Sequence, residues 1–227
     1  MKSDIAIIVP IFNEEKVLKK FFLHLKKVRP NDTIIAIDDG STDSSVEILN
    51  ELKGIYLLVH EINLGQGAAL QTGIEFARSL NLKYVVTIDS DGQHDPNEIE
   101  LFEQTIKKYR YDIVLGSRFL GKTINMSKTK KTILKIARIF TYITSKIRLT
   151  DSNNGFRMID ISNKKFNITQ NRMSHATEII DMISRYNLSY KEVPCTIVYN
   201  KYTVQKGQKL SSIINILLDI FFKRISS

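Results

Sequence analysis

In Tyr84-Val85-Val86-Thr87-Ile88-Asp89-Ser90-Asp91-Gly92-Gln93-His94-Asp95, a run of apolar and β-branched residues ends in two carboxylates one residue apart and a glycine turn. A continuous apolar run of this length has the character of a buried parallel strand, and its carboxyl end is where Asp89 and Asp91 fall. Carboxylates held that close repel each other unless a cation shares them. The spacing therefore predicts a hard divalent metal with oxygen ligands, which would in turn meet phosphates. The plain alternative for D-x-D by itself is a solvated turn. An EF-hand does not fit, because Gly92 stands fourth from Asp89 where the calcium loop needs it sixth, and the closing Glu is absent. His94, close ahead of Pro96, reads as a surface residue or a support for the metal ligands rather than a ligand.

Outward from this stretch the same unit repeats. Ile5 to Val9, Thr33 to Ile37, Ile55 to Val59 and Asp112 to Leu115 read as further strands. Helices are predicted from the spacing of Leu18, Phe21, Phe22, Leu25 and Val28, over Val46 to Leu52 with Asp43 or Ser44 as cap, over Ala68 to Leu80, and from Pro96 to Tyr109. Strand and helix alternate with short links, so an α/β fold with a mostly parallel sheet covered on both faces is expected. Polar loops at 10–15, 38–43, 63–67 and 89–95 each follow a strand. Ligands of open parallel sheets bind beyond the carboxyl ends of the strands, so these four loops converge on one crevice. Gly65-Gln66-Gly67 is no dinucleotide fingerprint, since it lies in the third unit and lacks the third glycine, and no G-x-x-x-x-G-K-[ST] is present. The glycine pair instead lets backbone approach a ligand or a neighbouring helix.

The 227 residues suit one α/β domain with an appendage, and the net charge of +9 favours an anionic partner. The single cysteine, Cys195, excludes an internal disulfide framework and fits a reducing compartment. Neither a signal peptide nor a spanning helix is expected, because the apolar run Ile5 to Phe12 is short and broken by Pro10 and no stretch reaches roughly 18 uninterrupted apolar residues.

From 122 to 149 Lys122, Lys128, Lys130, Lys131, Lys135, Arg138, Lys146 and Arg148 occur without an acidic residue, interleaved with Ile133, Leu134, Ile136, Ile139, Phe140 and Ile143. A basic amphipathic helix of this kind reads as binding a membrane surface, with an ordinary solvated basic face as the alternative. Nucleic acid is disfavoured, because the interleaved residues are aliphatic rather than stacking aromatics. Asp151-Ser152-Asn153-Asn154-Gly155-Phe156-Arg157-Met158 is a turn running into a short strand. His175 to Tyr186 follows as a helix and Tyr190 to Tyr199 as a strand. The tail from Leu210 to Ile225 is apolar but interrupted by Asn215 and Asp219, which suits an interfacial helix or packing on the chain or a partner better than a membrane span.

Taken together, the loops resemble family 2 glycosyltransferases of the GT-A (Rossmann-like) fold, closest to the branch of dolichyl-phosphate mannose synthase and bacterial polyprenyl-phosphate hexosyltransferases. The stretches that carry the resemblance are Val9-Pro10-Ile11-Phe12-Asn13-Glu14-Glu15, Asp38-Asp39-Gly40-Ser41-Thr42-Asp43, Asn63-Leu64-Gly65-Gln66-Gly67-Ala68-Ala69-Leu70, Ile88-Asp89-Ser90-Asp91-Gly92-Gln93-His94-Asp95, Gly116-Ser117-Arg118-Phe119 and Gly155-Phe156-Arg157, in the family's order. The resemblance implies a glycosyltransferase domain over 1–200, with a nucleotide-sugar half over 1–120 and an acceptor half over 121–200, followed by a basic amphipathic tail at 201–227. It further implies a nucleotide-diphosphate sugar donor, with Pro10, Phe12, Glu14 and Asp39 around base and ribose and with Gly65 and Ser90 beside it. Asp89 would face the ribose or sugar, and Asp91 and Gln93 would hold Mg²⁺ or Mn²⁺ on the diphosphate.

Arg118 and Arg157 would engage the phosphate of a polyprenyl acceptor, in a single inverting displacement. A hydroxyl acceptor would instead need a base, for which Asp151 is the candidate. The sequence departs from the family's pattern at Gln66, where relatives often carry a basic residue, and at Phe12, where many carry Tyr. Where relatives have R-x-x-G-x-S-K it offers Lys201 to Lys209, with Lys206 and Lys209 as candidate diphosphate ligands. The expected product is a hexose or N-acetylhexosamine on undecaprenyl phosphate, made from a UDP-sugar on the cytoplasmic face of the membrane by a peripheral enzyme. A homo-oligomer or a membrane-protein partner stays open, as does a sugar-nucleotide-binding subunit without turnover.

Overall fold

A computed structural model describes residues 3–171 and 174–199. Lys206, Lys209 and the tail expected to form C-terminal amphipathic helices lie outside the described residues, as does the boundary expected at residue 200.

Seven strands form one sheet in the order β3-β2-β1-β4-β6-β5-β7. They are β1 (Ile5–Ile11), β2 (Thr33–Asp38), β3 (Tyr56–Val59), β4 (Tyr84–Thr87), β5 (Ile113–Ile124), β6 (Arg157–Asp160) and β7 (Tyr190–Val198). All pairings are parallel except those of β6, which runs antiparallel to both β4 and β5. The chain winds outward from β1 to β3 and then returns to place β4 on the other side of β1. That reversal opens a crevice between the carboxyl ends of β1 and β4, where loops 10–15 and 88–95 lie.

Alternate residues of β1 feed two cores. Ile5, Ile7, Val9 and Ile11 face Leu18, Phe21, Phe22 and Leu25 of α1 (Leu18–Val28), an arrangement continued by Phe102 and Ile106 of α4 (Ile99–Tyr109). On the other face Ala6 and Ile8, with Ile35 and Ile37, meet Ala69, Leu70, Ile74 and Ala77 of α3 (Gln66–Ser79) and Ile179, Ile180 and Ile183 of α6 (His175–Tyr186). Each Ile, Val, Leu or Phe side chain removed from water contributes about 1.5–3 kcal/mol, and the alanines less, so the expected two-faced α/β architecture holds by the burial of period-2 strands under period-3.6 helices. The second helix, α2 (Ser45–Glu51), is capped by Asp43 rather than Ser44: the carboxylate accepts from the Ser45 amide at 3.0 Å, and no side-chain cap bond comes from Ser44.

Two elements differ from the sequence expectation. Strand β5 runs on to Ile124 instead of ending at Leu115, because its second half pairs with β7 after a shift of register between Ser117 and Lys122. Gly121 permits this approach, since a Cβ there would lie 2.1 Å from the Cys195 carbonyl. The basic helix correspondingly begins later, as α5 (Lys128–Ser145), with Ser127 accepting the Lys130 amide at its start.

The glycine that opens α3 is fixed by packing. A Cβ on Gly67 would stand 1.9 Å from the backbone oxygen of Gln170 and 2.9 Å from His175 Cβ, and the neighbouring Ala68 amide bonds Asn171 O. Gly67→Ala must push one backbone off another and is expected to cost about 1–3 kcal/mol, read as a lower midpoint in urea denaturation.

Candidate active site

The acidic loop leaves β4 at the crevice. Asp89 is half-buried at its floor; its Oδ1 accepts from Gln66 Nε2 at 2.8 Å, and its Oδ2 lies against Gly155, where a Cβ would come within 3.0 Å. Asp91 accepts from the Gln93 amide at 2.9 Å and from Gln93 Nε2 at 2.8 Å. Desolvation raises the pKa of Asp89, with the Arg157 charge opposing it. Desolvation and then the charge of Asp89 push Asp91 up to about 6. Glu14, buried after β1, adds repulsion to both. The crevice therefore gathers the repelling carboxylates Asp89, Asp91 and Glu14, and the side chains of Asp89, Asp91 and Gln93 supply oxygen as ligand atoms. That is the chemistry of a hard divalent ion. Among the described residues no group of three or more His, Cys, Asp or Glu side chains forms a cage of its own.

Loop 88–95 is tied to β7 by the Val198 amide, which donates to Gln93 O at 3.0 Å, and by a bridge between His94 and Ile197. His94 is buried rather than at the surface. Its Nε2 meets Asn154 Oδ1 at 3.0 Å; that oxygen also takes the Phe156 amide, so Nε2 carries the proton. Burial holds His94 below the usual imidazole range. Asn154 also reaches Cys195 Sγ, and burial pushes that thiol up to about 12, which leaves it protonated and inert.

The two candidate arginines reach the same region with different freedom. Arg118 is buried, and its Nε contacts Asp151 Oδ2 at 2.5 Å, one terminal nitrogen Tyr199 OH at 2.8 Å and the other Asn153 O at 2.7 Å. Burial alone would lower its pKa; Asp151 and Tyr199 outweigh that and raise it. Arg157, at the start of β6, is 3% exposed and donates through Nε to Asn154 O at 2.9 Å. Its terminal nitrogens make no hydrogen bond among the described residues. Desolvation brings Arg157 down to about 10 against the pull of Asp89 and Asp151. Asp151 accepts the Arg118 amide as well, and its Oδ1 takes the Asn153 amide at 3.3 Å.

On the β1 side, Pro10 lies within the strand, Phe12 is 41% exposed at its end, and Ser90 is buried in the acidic loop. Asp39 is spent inwardly: Oδ1 accepts from the Leu64 amide at 3.0 Å and Oδ2 from the Gly65 amide at 2.7 Å. Gly65, at φ 103°, makes the turn that only glycine adopts readily. Sequence reasoning passed over Lys130 as a site residue. Its ammonium lies 4.7 Å from the Tyr199 ring centre, with a pKa lowered by desolvation and then by Arg118. Within a run of eight basic residues nothing distinguished it.

The model of glycosyl transferase family 2 matches residues 6–167. The chain belongs to this family. It is a transferase enzyme of that class with the GT-A fold. The chain is similar to the UDP-N-acetylglucosamine--dolichyl-phosphate N-acetylglucosaminyltransferase of Methanococcus voltae, 30% identical across 89% of each chain. It is also similar to a dolichyl-phosphate beta-glucosyltransferase of Trichomonas vaginalis, 27% identical over 95% of this chain and 71% of that protein. Among solved structures, glucosyl-3-phosphoglycerate synthase of Mycobacterium tuberculosis, in complex with Mn²⁺ and UDP-glucose, superposes with a TM-score of 0.73 at 16% identity, over 98% of this chain and 78% of that one. At that identity the likeness concerns the fold.

The Arg118–Asp151 pair makes one substitution informative in an unexpected way. Asp151→Asn strands a buried guanidinium and is expected to destabilise the protein by about 3–5 kcal/mol in chemical denaturation, whatever the acceptor of the reaction. Activity lost in that variant identifies a base only once folding has been matched.

Proposed function

We propose that this family 2 glycosyltransferase moves a hexose or N-acetylhexosamine from a UDP-sugar to a polyprenyl phosphate by a single inverting displacement. The observation that carries the reading is Arg157, a buried cation beside Asp89 whose terminal nitrogens have no protein partner among the described residues. Such a fork suits a phosphate oxyanion. The names of two relatives, one a transferase of N-acetylglucosamine from UDP-N-acetylglucosamine to dolichyl phosphate and one a dolichyl-phosphate beta-glucosyltransferase, support donor and acceptor class.

Asp89, Asp91 and Gln93 fit Mg²⁺ or Mn²⁺, on the charge and donor set described above. When bound, the cation offsets the negative charge that grows on the departing nucleoside diphosphate. Pro10, Phe12, Glu14 and Ser90 line the donor side, with Gly65 and Asp39 shaping the adjoining loop. Lys206 and Lys209 remain proposed contributors to diphosphate binding. A phosphate acceptor is already anionic, so Arg157 has to position it in line with the anomeric carbon rather than deprotonate it. Arg118 contributes by fixing Asp151 and the 151–154 turn, while Lys130 adds positive charge at the rim. Asp151 supports this reading over a hydroxyl acceptor, since both its oxygens are engaged by Arg118 and the Asn153 amide rather than presented as a base.

The acceptor's lipid also gives α5 a role. Its buried face is Leu134, Ala137, Thr141 and Ser145, while Ile136, Ile139 and Ile143 are each more than half exposed and are flanked by Lys131, Lys135 and Arg138. No helix among the described residues is long and apolar enough to cross a membrane. We assign α5 to a peripheral contact with an anionic membrane surface. In this reading, residues 1–120 serve the donor and 121–200 the acceptor.

Purified protein with Mn²⁺, radiolabelled UDP-N-acetylglucosamine or UDP-glucose and undecaprenyl or dolichyl phosphate in detergent is expected to move label into the organic phase. Asp91→Ala should abolish that transfer. Donor hydrolysis alone, without lipid product, would transfer the assignment to a hydroxyl acceptor. In a vesicle-flotation assay, Ile139→Asp is expected to reduce binding to anionic liposomes several-fold without changing the thermal midpoint.

A further inference from the structure

His60 follows β3, and its imidazole is packed between the end of β2 and the second turn of α3. Nδ1 lies 2.8 Å from Asp39 Oδ1, and Nε2 lies 3.0 Å from Thr72 Oγ1. A carboxylate only accepts, so Nδ1 carries the proton, and in the neutral ring Nε2 takes the Thr72 hydroxyl. Both ring nitrogens are thereby used in one orientation, and the His60 amide is fixed as well, donating to Asp38 O at 2.9 Å.

Asp39 also holds the next loop. Its carboxylate takes the Leu64 and Gly65 amides, and its carbonyl accepts from Asn63 Nδ2 at 3.1 Å. Gly40 lets this loop come close, since a Cβ there would meet Ile62 C at 2.6 Å. The residue after Gly65 is Gln66, which donates to Asp89 Oδ1 at 2.8 Å. Hydrogen bonds and one short stretch of backbone thus connect Thr72, His60, Asp39, Gly65, Gln66 and Asp89. Neither His60 nor Thr72 reaches the acidic loop directly.

We propose that Thr72, His60 and Asp39 form a positioning relay that sets the 63–66 loop and, through Gln66, the Asp89 carboxylate of the donor site. The relay answers a need set by Gln66. Gln66 is neutral, so it has no net charge with which to find Asp89 and depends on the loop to bring its amide into line. Asp39 supplies that register, and His60 keeps Asp39 from turning away. This inference rests on the donor-site reading of Asp89 and Asp91 given above.

Binding of UDP in the presence of Mn²⁺, measured by titration calorimetry, tests it together with hydrogen exchange at the Leu64 and Gly65 amides. His60→Leu is expected to weaken UDP about tenfold and to expose both amides to exchange. His60→Asn, whose side-chain amide stands where Nδ1–H stood, should recover most of the loss. Because the relay acts through Gln66, His60→Leu combined with Gln66→Ala should bind no more weakly than the weaker single variant. Wild-type affinity in His60→Leu, or penalties that simply add in the double variant, would overturn the relay.

Should His60→Leu fail to fold, Thr72→Val against Thr72→Ser decides by the same measurements. Weaker binding and lost protection only in Thr72→Val support the relay, and equal behaviour refutes it. A folded wild-type chain that binds no UDP in Mn²⁺ overturns the donor-site reading and the relay's purpose with it. Loop protection unchanged in His60→Leu overturns the relay alone.

Discussion

Two carboxylates one residue apart, withdrawn from water at the end of a central strand, are the constraint around which the rest of this protein is arranged. Burial makes both Asp89 and Asp91 costly to ionise, the charge of Asp89 adds to the cost at Asp91, and Glu14 adds to it at both. The surroundings answer with fixed, directional donors. Gln66 comes from one side, Arg157 contributes charge from another, and Gly155 gives up its side chain so that Asp89 can sit against backbone. What these leave uncompensated matches a divalent cation and the phosphates it would carry. Sheet order serves the same end, since the reversal between β1 and β4 is what opens a crevice above the pair.

Around that charge the site separates cations by how much of their hydrogen-bonding capacity is already used. Arg118 is locked to Asp151, Tyr199 and Asn153 O, which makes it part of the scaffold. The terminal nitrogens of Arg157 make no hydrogen bond among the described residues. Lys130, at the start of α5, is lowered by its own burial and by Arg118, so the helix that carries the exposed isoleucines also delivers a cation to the rim. Lys130 and Ile136, the first of those isoleucines, stand about two turns apart on one helix.

Local chemistry made much of this legible in the sequence. Strand and helix periods are written into Ile5 to Ile11 and Leu18 to Leu25 because each side chain's burial depends on its own position in a regular element. The acidic loop could be read because repulsion between near neighbours is a local fact. What could not be read depends on distant pairing. Ser117 is followed by a polar and glycine-bearing stretch that looks like a loop until β7, some seventy residues on, supplies its partner. The availability of Arg157 and the commitment of Arg118 are likewise invisible in sequence, since both residues are simply arginines after a glycine-bearing motif. His60, set off by no motif, meets Asp39 and Thr72 only when α3 packs back over β1 and β2. Of the two readings of His94, a surface residue or a support for the metal ligands, burial removes the first, and Asn154, from a loop far along the chain, takes its proton.

The antiparallel strand β6 has a consequence for how such a chain matures. It lies between β4 and β5, so the acidic strand has no neighbour on that flank until residues 157–160 arrive. A nascent or truncated polypeptide ending before that point would display β4 with a row of unpaired amides and carbonyls beside an apolar face. That is an aggregation template rather than a smaller functional unit. Since the same strand brings Arg157, closing the flank and placing that guanidinium near Asp89 are one event.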